Sequence, residues 1–93
     1  MNELETILSK ATMCNNMWLA SDIAKLVNVY HTNISSWLRT NILDNEEFNP
    51  FLDYKVLAIK QGERYNRRDF YVNRKVAEYL FSKRPKRFKH NLS

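Results

Sequence analysis

The sequence predicts one small α+β domain, and three observations support that class. The chain has 93 residues, which is enough for one hydrophobic core. Apolar residues recur at helical spacing in several short segments, whereas a stretch from Tyr54 alternates like a strand and a second one follows from Asp69. Hydrophobic residues form 44% of the chain and charged residues 27%, a balance typical of globular proteins.

A first amphipathic helix is predicted over residues 2–13. Its apolar residues share one face: Leu4, Ile7, Leu8 and Ala11. Asn15 and Asn16 break the pattern, and the short apolar run of residues 17–20 is interpreted as a buried strand or a connector.

Two short helices follow, joined by about four residues. Ser21 is expected to cap the first, which ends near Asn28, and Thr32 or Asn33 is expected to cap the second, over residues 32–42. Each helix has an apolar stripe, formed by Ile23, Ala24, Leu26 and Val27 in the first and by Ile34, Trp37, Leu38 and Ile42 in the second. This arrangement predicts a helix-turn-helix unit.

The outward face of the second helix is polar and contains no acid. It comprises Thr32, Asn33, Ser35, Ser36, Arg39 and Thr40. Short polar side chains and one arginine can enter a major groove and form hydrogen bonds with base edges. We therefore expect this helix to read duplex DNA, with sequence readout from Asn33, Ser36 and Arg39.

A β-hairpin is predicted after an acidic loop at residues 44–53. Its strands are expected at residues 54–60 and 69–72, with a turn at 61–63 and the basic stretch 64–68 at its tip. The residues expected to contact phosphates are Lys60, Arg64, Asn66, Arg67 and Arg68. A helix-turn-helix followed by such a hairpin predicts a small winged helix-turn-helix domain with three to four helices and an antiparallel β-hairpin wing.

A last substantial helix is predicted after Asn73, its N-cap, and before Pro85. Its expected buried residues are Val76, Ala77, Leu80 and Phe81, and its expected exposed ones are Arg74, Lys75 and Glu78. The domain is therefore expected over residues 1–84, followed by a basic tail over 85–93 in which Lys86 and Arg87 add phosphate contacts.

Charge is distributed unevenly along the chain. Residues 1–59 contain four Lys and Arg against seven Asp and Glu, whereas residues 60–93 contain eleven against three, and the net charge is +5. An excess of one sign in one part of a chain favours a partner of the opposite sign, so the last third is expected to face a polyanion.

Catalytic, metal and cofactor sites are not expected. His31 and His90 are isolated from any pattern of ligands or nucleophiles, and a Gly-rich phosphate loop is excluded because the chain has one Gly. The single Cys14, expected to be buried, indicates a reducing compartment, the cytoplasm. No apolar run approaches the ~20 residues that cross a bilayer, so no membrane partner is expected.

Two other binding modes stay open. Tyr65, Phe70 and Tyr71 lie among arginines and could stack on exposed bases, although strand alternation favours a core position for Phe70. The fold could also serve a regulator that binds another protein. A continuous basic surface formed by Arg39, Arg67 and Arg68 would favour DNA as the partner. Interruption of that surface by the acidic residues Asp44, Glu46 and Glu47 would favour a protein partner.

Residues 18–82 resemble the domain of phage antirepressors of the AntA/AntB type. The segments that carry the resemblance are Trp18 to Leu26, Trp37-Leu38-Arg39, Glu47-Phe48, Asp53-Tyr54, Asp69 to Val72, and Lys75 to Leu80. The resemblance implies a helix-turn-helix core from a virus or mobile element and a role in transcription regulation. A domain this small offers few base contacts, so we expect it to act as a homodimer or beside a regulatory protein.

Overall fold

A computed structural model describes residues 2–61 and 65–85, except for the side chains of residues 58–61 and 65–67. Within these residues the helices are α1 (Glu3–Lys10), α2 (Ala20–Leu26), α3 (Ile34–Leu38) and α4 (Arg74–Ser82). A 3-10 turn (His31–Asn33) precedes α3 and a π-helical turn (Arg39–Leu43) follows it. The strands are β1 (Met13–Cys14), β2 (Met17–Leu19), β3 (Tyr54–Gln61) and β4 (Tyr65–Val72).

The four strands found in the described residues form one antiparallel sheet in the order β1-β2-β4-β3. Between β2 and β3 the chain leaves the sheet to form α2 and α3, and it returns through the hairpin of β3 and β4. This order of elements is a small α+β winged helix-turn-helix domain, which confirms the fold class predicted from the sequence. The sheet is larger than predicted, because β2 pairs with β4 and β1 adds a further edge.

The helices cover one face of the sheet with a single core. Its fully buried members include Ile23, Leu38, Ile42, Phe70, Val72 and Leu80. The predicted apolar stripes of α1, α2 and α4 enter this core, except that Leu26 of α2 and Phe81 of α4 are only partly buried and pack against it, as do Trp18 and Trp37. Burying a large aliphatic or aromatic side chain contributes about 1.5–3 kcal/mol, so these positions hold the sheet and helices together.

A tight hairpin joins β1 and β2 where the sequence predicted only a break. Asn15 and Asn16 have φ of 51° and 64°, and Cys14 pairs with Met17 across them. Two central residues with positive φ are the pattern of a type I′ turn, whose twist matches that of the strands. Cys14 is exposed in this hairpin, so its predicted burial was wrong.

Candidate nucleic-acid interface

The turn between α2 and α3 is a Schellman motif. Asn28 has a positive φ of 66°. The N–H of Val29 donates to the carbonyl of Ala24 at 2.9 Å, and the N–H of Asn28 donates to the carbonyl of Lys25 at 3.0 Å. These bonds satisfy the last carbonyls of α2 and direct Val29 into the core, where it is 8% exposed. The small Ala24 is fully buried in α2, the helix that packs against α3.

The 3-10 turn, α3 and the π-helical turn together form one helix, the composite helix (residues 31–43). Its wide last turn closes with a bond from the N–H of Asp44 to the carbonyl of Arg39, at 2.9 Å. The buried Asn41 stabilises this turn, because its side-chain amide donates to the carbonyl of Trp37 at 2.8 Å. The observed helix covers the predicted range of 32–42 and extends it by one residue at each end.

One face of the composite helix is apolar and buried, and the other is polar and exposed. Ile34, Leu38 and Ile42 are at most 8% exposed. All residues predicted as its outward face are exposed: Thr32, Asn33, Ser35, Ser36, Arg39 and Thr40. The hydroxyl of Ser36 donates to the carbonyl of Asn33 at 3.1 Å, whereas the side chains of Asn33 and Arg39 have no partner among the described residues.

The start of the composite helix differs from the prediction. Neither Thr32 nor Asn33 caps it through a side chain, because the chain enters through a 3-10 turn that begins after Tyr30. The exposed rings of Tyr30 and His31 pack together there, with centroids 4.7 Å apart. Sequence reasoning missed this pair of exposed rings.

Asp69 fixes α2 to the sheet. If β2 continued past the Leu19–Tyr71 pair, Ser21 would lie opposite Asp69. Instead the chain turns into α2, and the Asp69 carboxylate accepts from the N–H of Ser21 at 3.1 Å and from its hydroxyl at 2.5 Å. The predicted capping role of Ser21 was therefore wrong: the helix begins at Ala20, Ser21 is buried, and the capping group is Asp69.

The basic residues of the wing lie farther from its turn than predicted. β4 begins at Tyr65, so Arg67 and Arg68 occupy strand positions opposite Ile59 and Ala58 instead of the hairpin tip. Cross-strand pairing continues through this stretch although few of its residues are apolar. Arg68 is exposed, and α3 packs against the strand that carries it.

Several predicted contact residues cannot be placed with the helix face. Lys60 and Asn66 are paired across the hairpin, but their side chains, like that of Arg67, are outside the described part of the structure. Arg64, Lys86 and Arg87 lie entirely outside the described residues. Among the described residues, the predicted contact residues of the composite helix share one exposed face, and Arg68 lies on β4, a strand against which α3 packs.

Several other cations near the C-terminus are engaged within the domain. Arg74 forms ion pairs with Glu5 and, at 3.2 Å, with Glu78, and these hydrogen bonds raise the pKa of the Arg74 guanidinium. Lys83 lies 5.4 Å from the ring of Tyr79 and Arg84 lies 4.2 Å from that of Phe81. Because these cations make contacts within the domain, the excess of positive charge in the last third of the sequence does not by itself define a binding surface.

The acidic loop begins where the composite helix ends. Asp44, Glu46 and Glu47 are exposed and have no ion-pair partner among the described residues. Asp44 lies one helical turn beyond Arg39. A negative region therefore adjoins the C-terminal end of the polar helix face, while the N-terminal end of that face is free of acids.

Asp53 closes this loop against the start of α4. Its carboxylate accepts from the backbone N–H of Asn49 at 2.9 Å and from the side-chain amide of Asn73 at 3.0 Å, and Lys75 lies 3.7 Å away. The pKa of Asp53 is held below its ordinary value, chiefly by the hydrogen bond from Asn49. The hydrogen bond from Asn73 and the charge of Lys75 lower it further. Asn73 caps α4 as predicted, accepting from the N–H of Val76 at 3.1 Å.

Two further findings apply only to the part of the chain that the structure describes. No helix there has the length and apolar character needed to cross a membrane. No group of three or more His, Cys, Asp and Glu side chains is placed to hold a metal ion.

The fold and the exposed polar helix define the class as a winged helix-turn-helix domain. Comparisons with models of protein families, with curated proteins and with solved structures gave no match.

Proposed function

We propose that the protein binds duplex DNA sequence-specifically and regulates transcription in a phage or mobile element, in the cytoplasm of the host cell. The composite helix enters the major groove, and the β3–β4 wing follows the backbone. One observation carries this proposal: the helix is buried on one side and exposes an acid-free row of short polar side chains and Arg39 on the other.

The chemistry of that row suits a base edge better than a core or a catalytic site. The Asn33 amide offers both a donor and an acceptor, which matches the N6 and N7 atoms of adenine, and the Arg39 guanidinium matches O6 and N7 of guanine. Both side chains lack partners among the described residues, so neither loses an internal bond when it meets DNA. Arg68, on the strand beside α3, supplies charge for a phosphate.

A binding titration tests the class of ligand. Random-sequence duplex DNA, single-stranded DNA and structured RNA of equal length are titrated at two salt concentrations, with fluorescence anisotropy as the readout. We expect duplex DNA to bind tightest, and affinity to fall as salt rises because bound phosphates release counterions. Equal affinity for single strands would contradict the proposal.

Variants then separate readout from backbone contact. Asn33→Ala should relax the preference among duplexes selected from a random pool, at a cost of about 1–3 kcal/mol for the preferred site. Arg68→Ala should weaken all duplexes alike and reduce the salt slope by about 1. Lys10→Ala, an exposed cation on α1, is the matched control and should change neither quantity. If Arg68→Ala behaves like Lys10→Ala, the wing is not part of the site.

The second candidate is a regulator that keeps this fold but binds a host or phage protein, as the resemblance to antirepressors implies. The acidic loop favours it, because Asp44, Glu46 and Glu47 adjoin the helix face and would repel phosphates at that end. The variant Asp44→Asn/Glu46→Gln/Glu47→Gln decides between the two. Stronger duplex binding by the variant supports DNA as the ligand, whereas no measurable duplex binding by parent or variant supports a protein partner.

A further inference from the structure

Phe51 and Leu52 are the most exposed large apolar side chains in the described structure, at 84% and 73%. They are held in place by the side-chain oxygen of Asn49, which accepts from the N–H of Phe51 at 2.8 Å and from that of Leu52 at 3.1 Å. Asp53, bonded to Asn73, anchors the same turn to α4. Two adjacent apolar side chains presented by an ordered loop are a feature of binding surfaces.

The strand that follows this loop is an edge of the sheet. Among the described residues β3 pairs with β4 alone, so the opposite side of its backbone is unpaired over eight residues. That length corresponds to about 26 Å. Val56, near its start, is 47% exposed although its cross-strand partner Phe70 is 2% exposed. An edge of this length with an adjoining apolar group is a template for pairing with another strand.

We propose that the edge of β3, with Phe51 and Leu52, is the contact surface for a second copy of this chain. The two β3 strands pair antiparallel across a two-fold axis, so the sheets of the two copies become continuous. Such a contact is self-complementary, since every unpaired N–H and C=O on one edge meets the same edge of the partner. Phe51 and Leu52, which lie just before β3 in one copy, then come beside the end of β3 in the other copy.

The distribution of charge along the chain also favours a second copy of this chain as the partner. Residues 44–53 contain four acids and no base, whereas residues 60–68 contain four bases and one acid. Antiparallel pairing places the start of one β3 beside the end of the other. The acidic residues that precede β3 in one copy therefore come beside the end of β3 in the other copy, where the sequence has Lys60.

Sedimentation velocity of the full chain without DNA tests the proposal over a range of concentrations. We expect the parent to shift from monomer to dimer as concentration rises. Phe51→Ser/Leu52→Ser should raise the dimer dissociation constant by at least about tenfold, as expected for apolar anchors of an interface. Met13→Ser is the matched control, because Met13 is 53% exposed on the opposite edge strand, β1, and should dimerise like the parent.

Hydrogen exchange supplies a readout specific to the strand. Amides of β3 should become more protected as concentration rises, and those of β1 should not. Val56→Lys should reduce that protection with the far-ultraviolet circular dichroism unchanged. Higher salt should weaken the dimer, because part of the contact is electrostatic. A parent that stays monomeric, or a Phe51→Ser/Leu52→Ser variant that dimerises as the parent does, would overturn the proposal.

Discussion

A single carboxylate, Asp69, joins the sheet to the first helix of the helix-turn-helix unit. It is 2% exposed and accepts three hydrogen bonds, two from Ser21 and one from its neighbour Phe70, whose N–H lies 2.8 Å away. A buried carboxylate is tolerated when its lone pairs are satisfied and when it meets the positive end of a helix. The orientation of α2, and of the composite helix packed on it, therefore depends on this residue.

Replacing Asp69 with Ala is expected to destabilise the domain by about 2–4 kcal/mol, because the N–H groups of Ser21 and Phe70 lose their acceptor in a buried place. Ser21→Ala should cost less, about 1–3 kcal/mol, because it removes only the hydroxyl bond to Oδ2 of Asp69 and leaves the two N–H bonds in place. Urea denaturation measures both values. Asp44→Ala, an exposed acid, is the control, and an equally small effect at Asp69 would contradict its capping role.

The ionisation of Asp53 makes the stability of the folded domain depend on pH. Its pKa is lowered in the folded state, chiefly by the hydrogen bond from Asn49, so its ionised form contributes stability that is fully present above its ordinary pKa of 3.8. That contribution is lost as the pH falls through the lower folded-state pKa, because the folded state then binds the proton that the unfolded state already holds.

The measurement is the urea midpoint of parent and Asp53→Asn between about pH 5 and about pH 2. The parent should lose stability over the lower part of this range more steeply than the variant, and the difference between them should be largest at the upper end of the range, where Asp53 is ionised in both states. Parallel acid profiles for the two proteins would show that the bonds from Asn49 and Asn73 do not favour the ionised form.

At the scale of elements, the turn between α2 and the composite helix sets how the polar face is presented. Asn28 adopts a left-handed conformation with φ of 66°. This conformation is energetically unfavourable for most residues that have a β-carbon, but asparagine tolerates it. The Schellman bonds at this position end α2 and turn the chain toward Val29. The turn therefore controls the angle between the two helices.

Asn28→Ala is expected to destabilise the protein by about 1 kcal/mol, and Asn28→Gly to leave stability unchanged or raise it slightly, because glycine enters the left-handed region without a steric penalty. Thermal and urea unfolding of the pair test this difference. The order would be reversed if helix propensity, which favours Ala over Gly, governed this position.

Elements defined by local pattern were predicted better than those defined by pairing. The apolar stripe of α4 and its Asn73 cap are encoded within one turn of helix, and both were found where expected. The start of β4 was predicted four residues late, since nothing local marks Tyr65 as a strand residue. Its strand conformation comes from hydrogen bonds to β3, a contact that apolar alternation does not encode.

For the whole molecule, α4 closes the core by packing on α2 and on β2 and β4. Leu80 is fully buried there, while Arg74 ties α4 to α1 through Glu5. The helix-turn-helix unit thus lies within a framework formed by the first and last helices. Disturbing that framework should loosen the domain as a unit, as is usual for small single domains.

Leu80→Ala is expected to cost about 2–5 kcal/mol, because it removes buried apolar contacts and leaves a cavity. Leu52→Ala removes the same atoms from a side chain that is 73% exposed, so it should change monomer stability by less than about 0.5 kcal/mol. Urea unfolding at low protein concentration, where the chain is monomeric, gives both values. Similar losses at the two leucines would contradict the assigned core.

The sequence by itself determined the helical faces, the spacing of the helix-turn-helix unit and the polar row from Thr32 to Thr40, because these depend on residues within a few positions of each other. Only the tertiary structure decided that Asp69 caps α2 and that, among the described residues, Phe51 and Leu52 are exposed beside an unpaired strand edge. The bond between Asp69 and Ser21 joins residues 48 positions apart. Such a contact exists only after the sheet has placed both, and so no local pattern encodes it.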